Sequence, residues 1–218
     1  YCVTRFELKN GTYDFTQGAQ LNLGITNKVV AIAADVSDGT HFLYCAAKVP
    51  AGYTIQQWTW ASNFTSAAFT SYNVTLPSGK DVTALAANKD GVFVGIRTIS
   101  VSPAGYTLSV NKYAKQDGVD KGTITVGELQ LTPTEPSGPY PPYTKIESTI
   151  NDLRIVDGML YAVTSKLEKR MAYRTGDYGT DEFKSSGLLY KIAEAASFSG
   201  NAMVLHAKYP VLPQGTSR

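Results

Sequence analysis

The chain has 218 residues, with 20 Lys and Arg against 18 Asp and Glu, so its net charge is +2. Charged residues make up only 17%, against about 25% in typical soluble domains. Because the net charge is close to zero, the composition gives no reason to expect nucleic acid or an anionic membrane surface as a partner. Apolar runs stay well short of the ~20 residues that a membrane-spanning helix needs.

The composition predicts an extracytoplasmic location. Polarity comes from Thr, Ser, Asn and 14 Tyr more than from Lys and Glu. The sequence begins at Tyr1 without Met and has no visible signal peptide or lipid-anchoring motif. We therefore expect a processed product or a fragment of a longer chain.

An internal repeat organises the chain. The segment 50–55 (PAGYTI) recurs at 103–108 (PAGYTL), and the same offset relates Val29–Ile32 to Val82–Leu85. A third copy of the latter motif is Ile150–Leu153, and each copy is followed by Asp-Gly, at 38–39, 90–91 and 157–158. Asp-Gly between apolar runs favours a tight hairpin, because such a turn requires positive φ.

Each unit therefore reads as four antiparallel strands, designated a to d in chain order. Amphipathic helix periods are missing, and four short strands per unit are typical of a propeller blade. Alanines in the a strands suit the crowded innermost position of a blade. The expected ranges are a at 29–36, 82–88 and 149–156; b at 42–49, 92–99 and 159–166; c at 53–61, 106–114 and 187–194; and d at 67–77, 123–133 and 202–210.

The fold prediction is an all-β, partial β-propeller of about three and a half blades in a single domain, 1–218. The residues before the first complete unit align with strands c and d alone. The division is a half blade at 1–28 and full blades at 29–81, 82–148 and 149–211. Open blade edges invite pairing, so the remainder of the propeller or a second chain is the expected partner there.

The pattern of Asp-Gly followed by aromatic and aliphatic residues is clearest in Ala34–Tyr44 (ADVSDGTHFLY). It resembles the repeats of YVTN, lactonase-like and TolB-like β-propellers. The resemblance implies a scaffold that binds proteins, glycans or small ligands, with hydrolases and lyases as a minority. The fold alone does not choose among these functions.

Two long predicted loops lie on the propeller face that the d–a and b–c connections share. The segment 134–148 is stiff because it begins with a proline-rich stretch, and 167–186 carries arginines and tyrosines. Large rings on a stiff support suit protein or glycan binding at low entropic cost; the alternative is two variable surface insertions. The candidate ligand-binding residues are Tyr140, Tyr143, Lys145, Arg170, Tyr173, Arg174, Asp177 and Tyr178.

A second candidate site is Asp152 with Arg154, which replace alanines of the other units. Two positions apart on a strand, they share one face. They predict either a polar site in the central channel or a local ion pair. A channel site would suit a lactonase- or glycosidase-like hydrolase, which is the alternative to a non-catalytic scaffold.

No catalytic residue, metal site or cofactor is predicted. The chain has two histidines, His41 and His206, so it cannot form a three-histidine metal site, and it has no Gly-x-Ser-x-Gly elbow. Cys2 and Cys45 fall on adjacent blades. Stacked sheets lie ~10 Å apart, beyond the ~7 Å Cα limit of a disulfide. Two free thiols are therefore favoured over a bridge.

Overall fold

The structure is a computed structural model that describes residues 2–10, 12–22, 25–60, 68–101, 104–126, 144–172, 180–195, 197–198 and 204–209. These residues form strands and turns, and no helix occurs among them. Accordingly, this part of the chain offers no helix that could span a membrane. The strands are β1 Cys2–Lys9, β2 Thr12–Asn22, β3 Val29–Ser37, β4 Thr40–Val49, β5 Gly52–Trp60, β6 Ala68–Pro77, β7 Lys80–Asn88, β8 Gly91–Val101, β9 Ala104–Tyr113, β10 Asp120–Val126, β11 Thr144–Val156, β12 Met159–Ala172, β13 Thr180–Glu194 and β14 Val204–Tyr209.

Neighbouring strands in sequence are neighbours in space. Sheet 1 comprises β3 to β6, sheet 2 comprises β7 to β10 and sheet 3 comprises β11 to β14, each in simple meander order, while β1 and β2 form a separate hairpin. All pairs are antiparallel. The all-β, four-stranded antiparallel units predicted from the repeat are thus confirmed. The single domain with its half blade and three blades stays a prediction.

The Asp-Gly turns have the predicted geometry in two of the three units. Asp38 and Gly39 have φ of 50° and 72°, and Asp157 and Gly158 have 49° and 76°. In the second unit the prediction is wrong, because the two-residue turn is Lys89–Asp90, with Asn88 pairing with Gly91. There the Asp90 amide donates to Asn88 Oδ1 at 2.9 Å, so an Asx turn replaces the turn with positive φ.

The predicted loop 167–186 is largely strand, which corrects the sequence interpretation. Strand β12 continues to Ala172 and β13 begins at Thr180. Opposite charges face each other across the pair at Glu168 and Lys184. Such cross-strand pairs stabilise a sheet. Likewise, β11 begins at Thr144, inside the predicted loop 134–148.

The first strand of every sheet carries a β-bulge at the same place. The register shifts between Val29 and Ala31, between Val82 and Ala84, and between Ile150 and Asp152. These are equivalent positions of the sequence repeat. A bulge bends its strand and increases the local twist, so the three sheets repeat their backbone shape as well as their sequence.

Sheet 2 lies between the other two sheets. Along β8, Val92, Val94 and Ile96 pack into a core shared with sheet 1, whereas Phe93 packs into a core shared with sheet 3. Sheets 2 and 3 approach each other closely at Gly95. A Cβ there would lie 3.3 Å from Ala84 Cβ and 3.3 Å from Ile150 Cγ2. This close approach between sheets 2 and 3 explains why positions 84 and 95 carry alanine and glycine.

The first strands of the three sheets are in contact, β3 with β7 and β7 with β11, and they run in the same direction. Lys115, after β9, reaches Asp35 and Ser37 at the end of β3, whereas Tyr53 at the start of β5 reaches Asp81 at the start of β7. We call the end with the β3–β4, β7–β8 and β11–β12 turns the turn end. The opposite end is the loop end.

Candidate functional sites

Most of the predicted ligand-binding residues lie outside the described residues. Of the eight, the structure describes the backbone of two. Lys145 lies in β11 opposite Glu168, and Arg170 lies in β12 opposite Glu182. Their binding role stays a prediction. The residues outside the described ranges are Tyr140, Tyr143, Tyr173, Arg174, Asp177 and Tyr178.

A charged network that the sequence analysis missed lies at the loop end. Arg97 Nη2 donates to Asp81 Oδ2 at 2.8 Å within sheet 2, and Arg97 Nη1 donates to Glu147 Oε1 of sheet 3 at 2.9 Å. The Arg97 guanidinium also lies 5.1 Å from the centre of the Tyr106 ring. One arginine therefore links sheets 2 and 3.

Sheet 1 joins the same network through Tyr53, whose hydroxyl donates to Asp81 Oδ1 at 3.0 Å. Burial raises the pKa of Asp81, but the hydrogen bonds from Arg97 and Tyr53 and the charge of Arg97 outweigh it and hold that pKa below its usual value. The carboxylate is therefore held ionised at neutral pH. The network fixes strand ends from all three sheets at the loop end.

A buried ion pair lies on β12, where the predicted strand b passes into the predicted loop 167–186. Lys166 Nζ is 3.1 Å from Glu168 Oε2, with side chains 8% and 1% exposed. Ser148, opposite Lys166 in β11, is buried with no hydrogen-bond partner for its hydroxyl oxygen. The sequence analysis missed the pair because it ended the strand at Lys166, before Glu168. In the structure, buried side chains alternate from Leu160 to Glu168, which puts both charges on the core-facing side of β12.

Asp152 and Arg154 form a local ion pair on an exposed face. Arg154 Nε donates to Asp152 Oδ2 at 2.7 Å. The side chain of Arg154 is 75% exposed and that of Asp152 is 44% exposed. Asp152 Oδ1 also accepts from the Leu153 amide at 3.0 Å. Solvent screens such a pair strongly. The predicted channel role is not tested by this geometry and stays a prediction.

Within the described ranges no metal-ligating cluster marks a site, and the thiol of Cys45 is not reactive. No group of three or more His, Cys, Asp or Glu side chains comes together there. Cys45 is a buried free thiol, and burial raises its pKa to about 12. At neutral pH this thiol is therefore neutral and a poor nucleophile.

A cleft opens at the turn end between sheets 2 and 3, opposite the predicted ligand face. Its volume is about 520 Å³. The lining comes from the β7–β8 turn, the end of β9, the β9–β10 turn, β10 and the residues after β13. Four ammonium groups and two carboxylates line it: Lys89, Lys112, Lys115, Lys121, Asp90 and Asp117.

Comparison with known protein families and with curated proteins finds no match to this chain. The function must therefore be argued from the geometry of the described residues.

Proposed function

We propose that the chain is a β-propeller whose blades are sheets 1, 2 and 3. Three features support this fold. The sheets are consecutive four-stranded meanders, their first strands contact one another, and the same bulge recurs in each first strand. The hairpin β1–β2 supplies strands c and d of a further blade.

We further propose that it is a non-catalytic extracytoplasmic scaffold that binds a protein or glycan at the loop end. The observation that carries this proposal is the network of Arg97 with Asp81, Glu147 and Tyr53. It links strand ends of all three sheets at the loop end, where β11 begins and β12 ends. A rigid base lowers the entropic cost of binding. The hydrolase alternative stays a prediction that no specific contact favours.

Exposed apolar side chains support an assembly role for the outer sheets. Ile32 and Val36, on one face of β3, are each 60% exposed, and Val156 of β11 is 53% exposed. The equivalent strand of sheet 2, β7, is covered on both sides. We propose that further blades, or a second chain, pack against these faces.

The binding proposal is tested with a combined variant, Tyr140→Ala, Tyr143→Ala, Arg170→Ala and Tyr173→Ala. Glycan arrays and pull-down experiments on the full chain first identify ligands of the unmodified protein. The variant is expected to lose them. A control variant at the turn end, Asp38→Asn with Asp157→Asn, is expected to retain them. If every ligand still binds the loop-end variant, the loop end is not the binding face.

A further inference from the structure

Lys112 is a buried lysine that lines the cleft at the turn end. It lies near the end of β9 and is only 7% exposed. Its Nζ donates to the Ala195 carbonyl oxygen at 2.6 Å and lies 5.7 Å from the centre of the Phe93 ring. A buried ammonium costs free energy unless opposite charge compensates it.

The charges around Lys112 leave the cleft with a positive balance. Burial lowers the pKa of Lys112, the charge of Asp90 raises it, and the like charge of Lys121 lowers it further. Asp90 also pairs with Lys89, Nζ to Oδ1 at 2.8 Å. One carboxylate is therefore shared between two ammonium groups.

The other charged residues of the lining have partners that are already defined. Lys115 Nζ bonds Asp35 Oδ2 and, at 2.8 Å, Ser37 Oγ. Asp117 Oδ1 accepts from the Val119 amide at 3.0 Å. The amide hydrogen bond leaves the charge of Asp117 in place, so four ammonium groups of the lining face three carboxylates, those of Asp90, Asp117 and Asp35.

The cleft also has an apolar wall and a suitable size. Phe198 lines it and packs edge to face on Phe93, with ring centres 5.5 Å apart. Ala114 adds a second apolar surface. The volume of about 520 Å³ falls within the ~300–1,000 Å³ of typical small-molecule sites.

We propose that this cleft binds a small organic anion of monosaccharide size, whose carboxylate or phosphate lies between Lys112 and Lys121. An anion there would pair with both lysines and relieve the repulsion between their like charges. The site is at the end opposite the proposed protein- or glycan-binding face, so it would act as a second, separate site.

Titration calorimetry of the full chain at low ionic strength tests the proposal with three probes: glucuronate, glucose 6-phosphate and uncharged glucose. We expect glucuronate or glucose 6-phosphate, or both, to bind, and glucose not to bind. The ratio of the two affinities distinguishes a carboxylate from a phosphate site. Absence of binding by both anions at millimolar concentration would overturn the proposal, as would equally tight binding of glucose.

Substitutions then locate the site. Lys121→Gln changes an exposed side chain, so folding is expected to be preserved, and it should weaken anion binding about tenfold. Lys112→Met keeps the length and apolar stem and should weaken it at least as much. Lys80→Gln, at the loop end, is the matched control and should leave the affinity unchanged. Unchanged binding by the folded Lys121→Gln variant, or an equal loss in the control, would overturn the assignment.

Discussion

Arg97 and Asp81 together link all three sheets at the loop end. Arg97 pairs with Asp81 of its own sheet and Glu147 of the next, while Asp81 accepts the hydroxyl of Tyr53 from the previous sheet. Asp81 and Arg97 are 28% and 22% exposed, so water screens this pair only partly. Hydrogen bonds to charged groups at such sites contribute about 1.5–3 kcal/mol each before screening.

Asp81→Asn should make the protein less sensitive to acid. The folded-state pKa of Asp81 lies below its ordinary value, so the ionised carboxylate stabilises the fold above pH ~4. This contribution is lost as the pH falls through the folded pKa. We expect the variant to lose about 1–2 kcal/mol at pH 7 and to show a shallower decline below pH 4.

Urea unfolding at pH 7, 5 and 3 measures this effect. Asp38→Asn is the control, since Asn also tolerates the positive φ of that turn. Equal acid sensitivity in the unmodified chain and in Asp81→Asn would show that the network does not stabilise the fold.

Cys45 should resist alkylation in the folded protein. Its thiol is buried and its pKa is raised to about 12, so almost no thiolate forms at pH 8. In a Cys2→Ser background, we expect iodoacetamide to modify Cys45 only after unfolding in guanidinium, as read by intact mass. Rapid labelling of the native protein at pH 8 would place this thiol outside the core.

At the scale of the strand, backbone geometry and side-chain pattern reinforce each other. The positive φ at Asp38 and Gly39 closes the β3–β4 hairpin, as the sequence predicts. At Gly52, glycine is required by steric contacts as well as by the positive φ. Its φ is +138°, and a Cβ would clash with the Leu76 carbonyl oxygen and lie 2.9 Å from the carbonyl carbon of Pro77.

Gly52→Ala should therefore destabilise the protein far more than Gly39→Ala. Gly39 also has positive φ, but no heavy atom lies within 4 Å of its Cβ position. We expect Gly39→Ala to cost about 1 kcal/mol from backbone strain alone, and Gly52→Ala about 3 kcal/mol or more because the β5–β6 pairing must also shift. Chemical denaturation of both variants checks this; equal losses would contradict the geometry at Gly52.

The strands could be predicted from the sequence because each turn signal separates two apolar runs. The continuation of β12 beyond Leu167 could not be predicted, because Lys166 and Glu168 are charged residues that compensate each other in a buried position. Residues of these types are almost never fully buried unless they are paired. The cleft at the turn end was also missed, since its lysines come from separate strands and turns that meet only when sheet 2 forms, and Phe198 of its wall comes from the chain after β13.

At the scale of the whole molecule, one packing mode recurs. Sheet 2 covers sheet 1 on one side and sheet 3 on the other, and each contact buries an apolar core. The outermost first strands retain exposed apolar residues, among them Ile32 and Val36. Exposed apolar surface of this kind is typical of an interaction site.

We expect the isolated chain to self-associate through these faces. Ile32→Lys with Val36→Lys should weaken the association, because charges would enter an apolar contact, while the unfolding free energy stays within about 0.5 kcal/mol. Sedimentation velocity over a concentration series measures the association. Ile99→Lys, on an exposed residue of β8, is the control and should associate normally. A chain that stays monomeric throughout, or equal effects of both variants, would contradict the proposed assembly.

The stacking of three sheets with their turns at one end is tested most directly by distances between spin labels. With Cys2 and Cys45 replaced, labels are placed in pairs at Asp38, Lys89 and Asp157, one in each turn. Face-to-face sheets lie ~10 Å apart. We therefore predict that the separation between 38 and 157 is the longest of the three and about 20 Å. A turn at the opposite end of a strand would lie about 30 Å away or more. Such a distance, or a 38–157 separation shorter than the other two, would contradict the stacked arrangement.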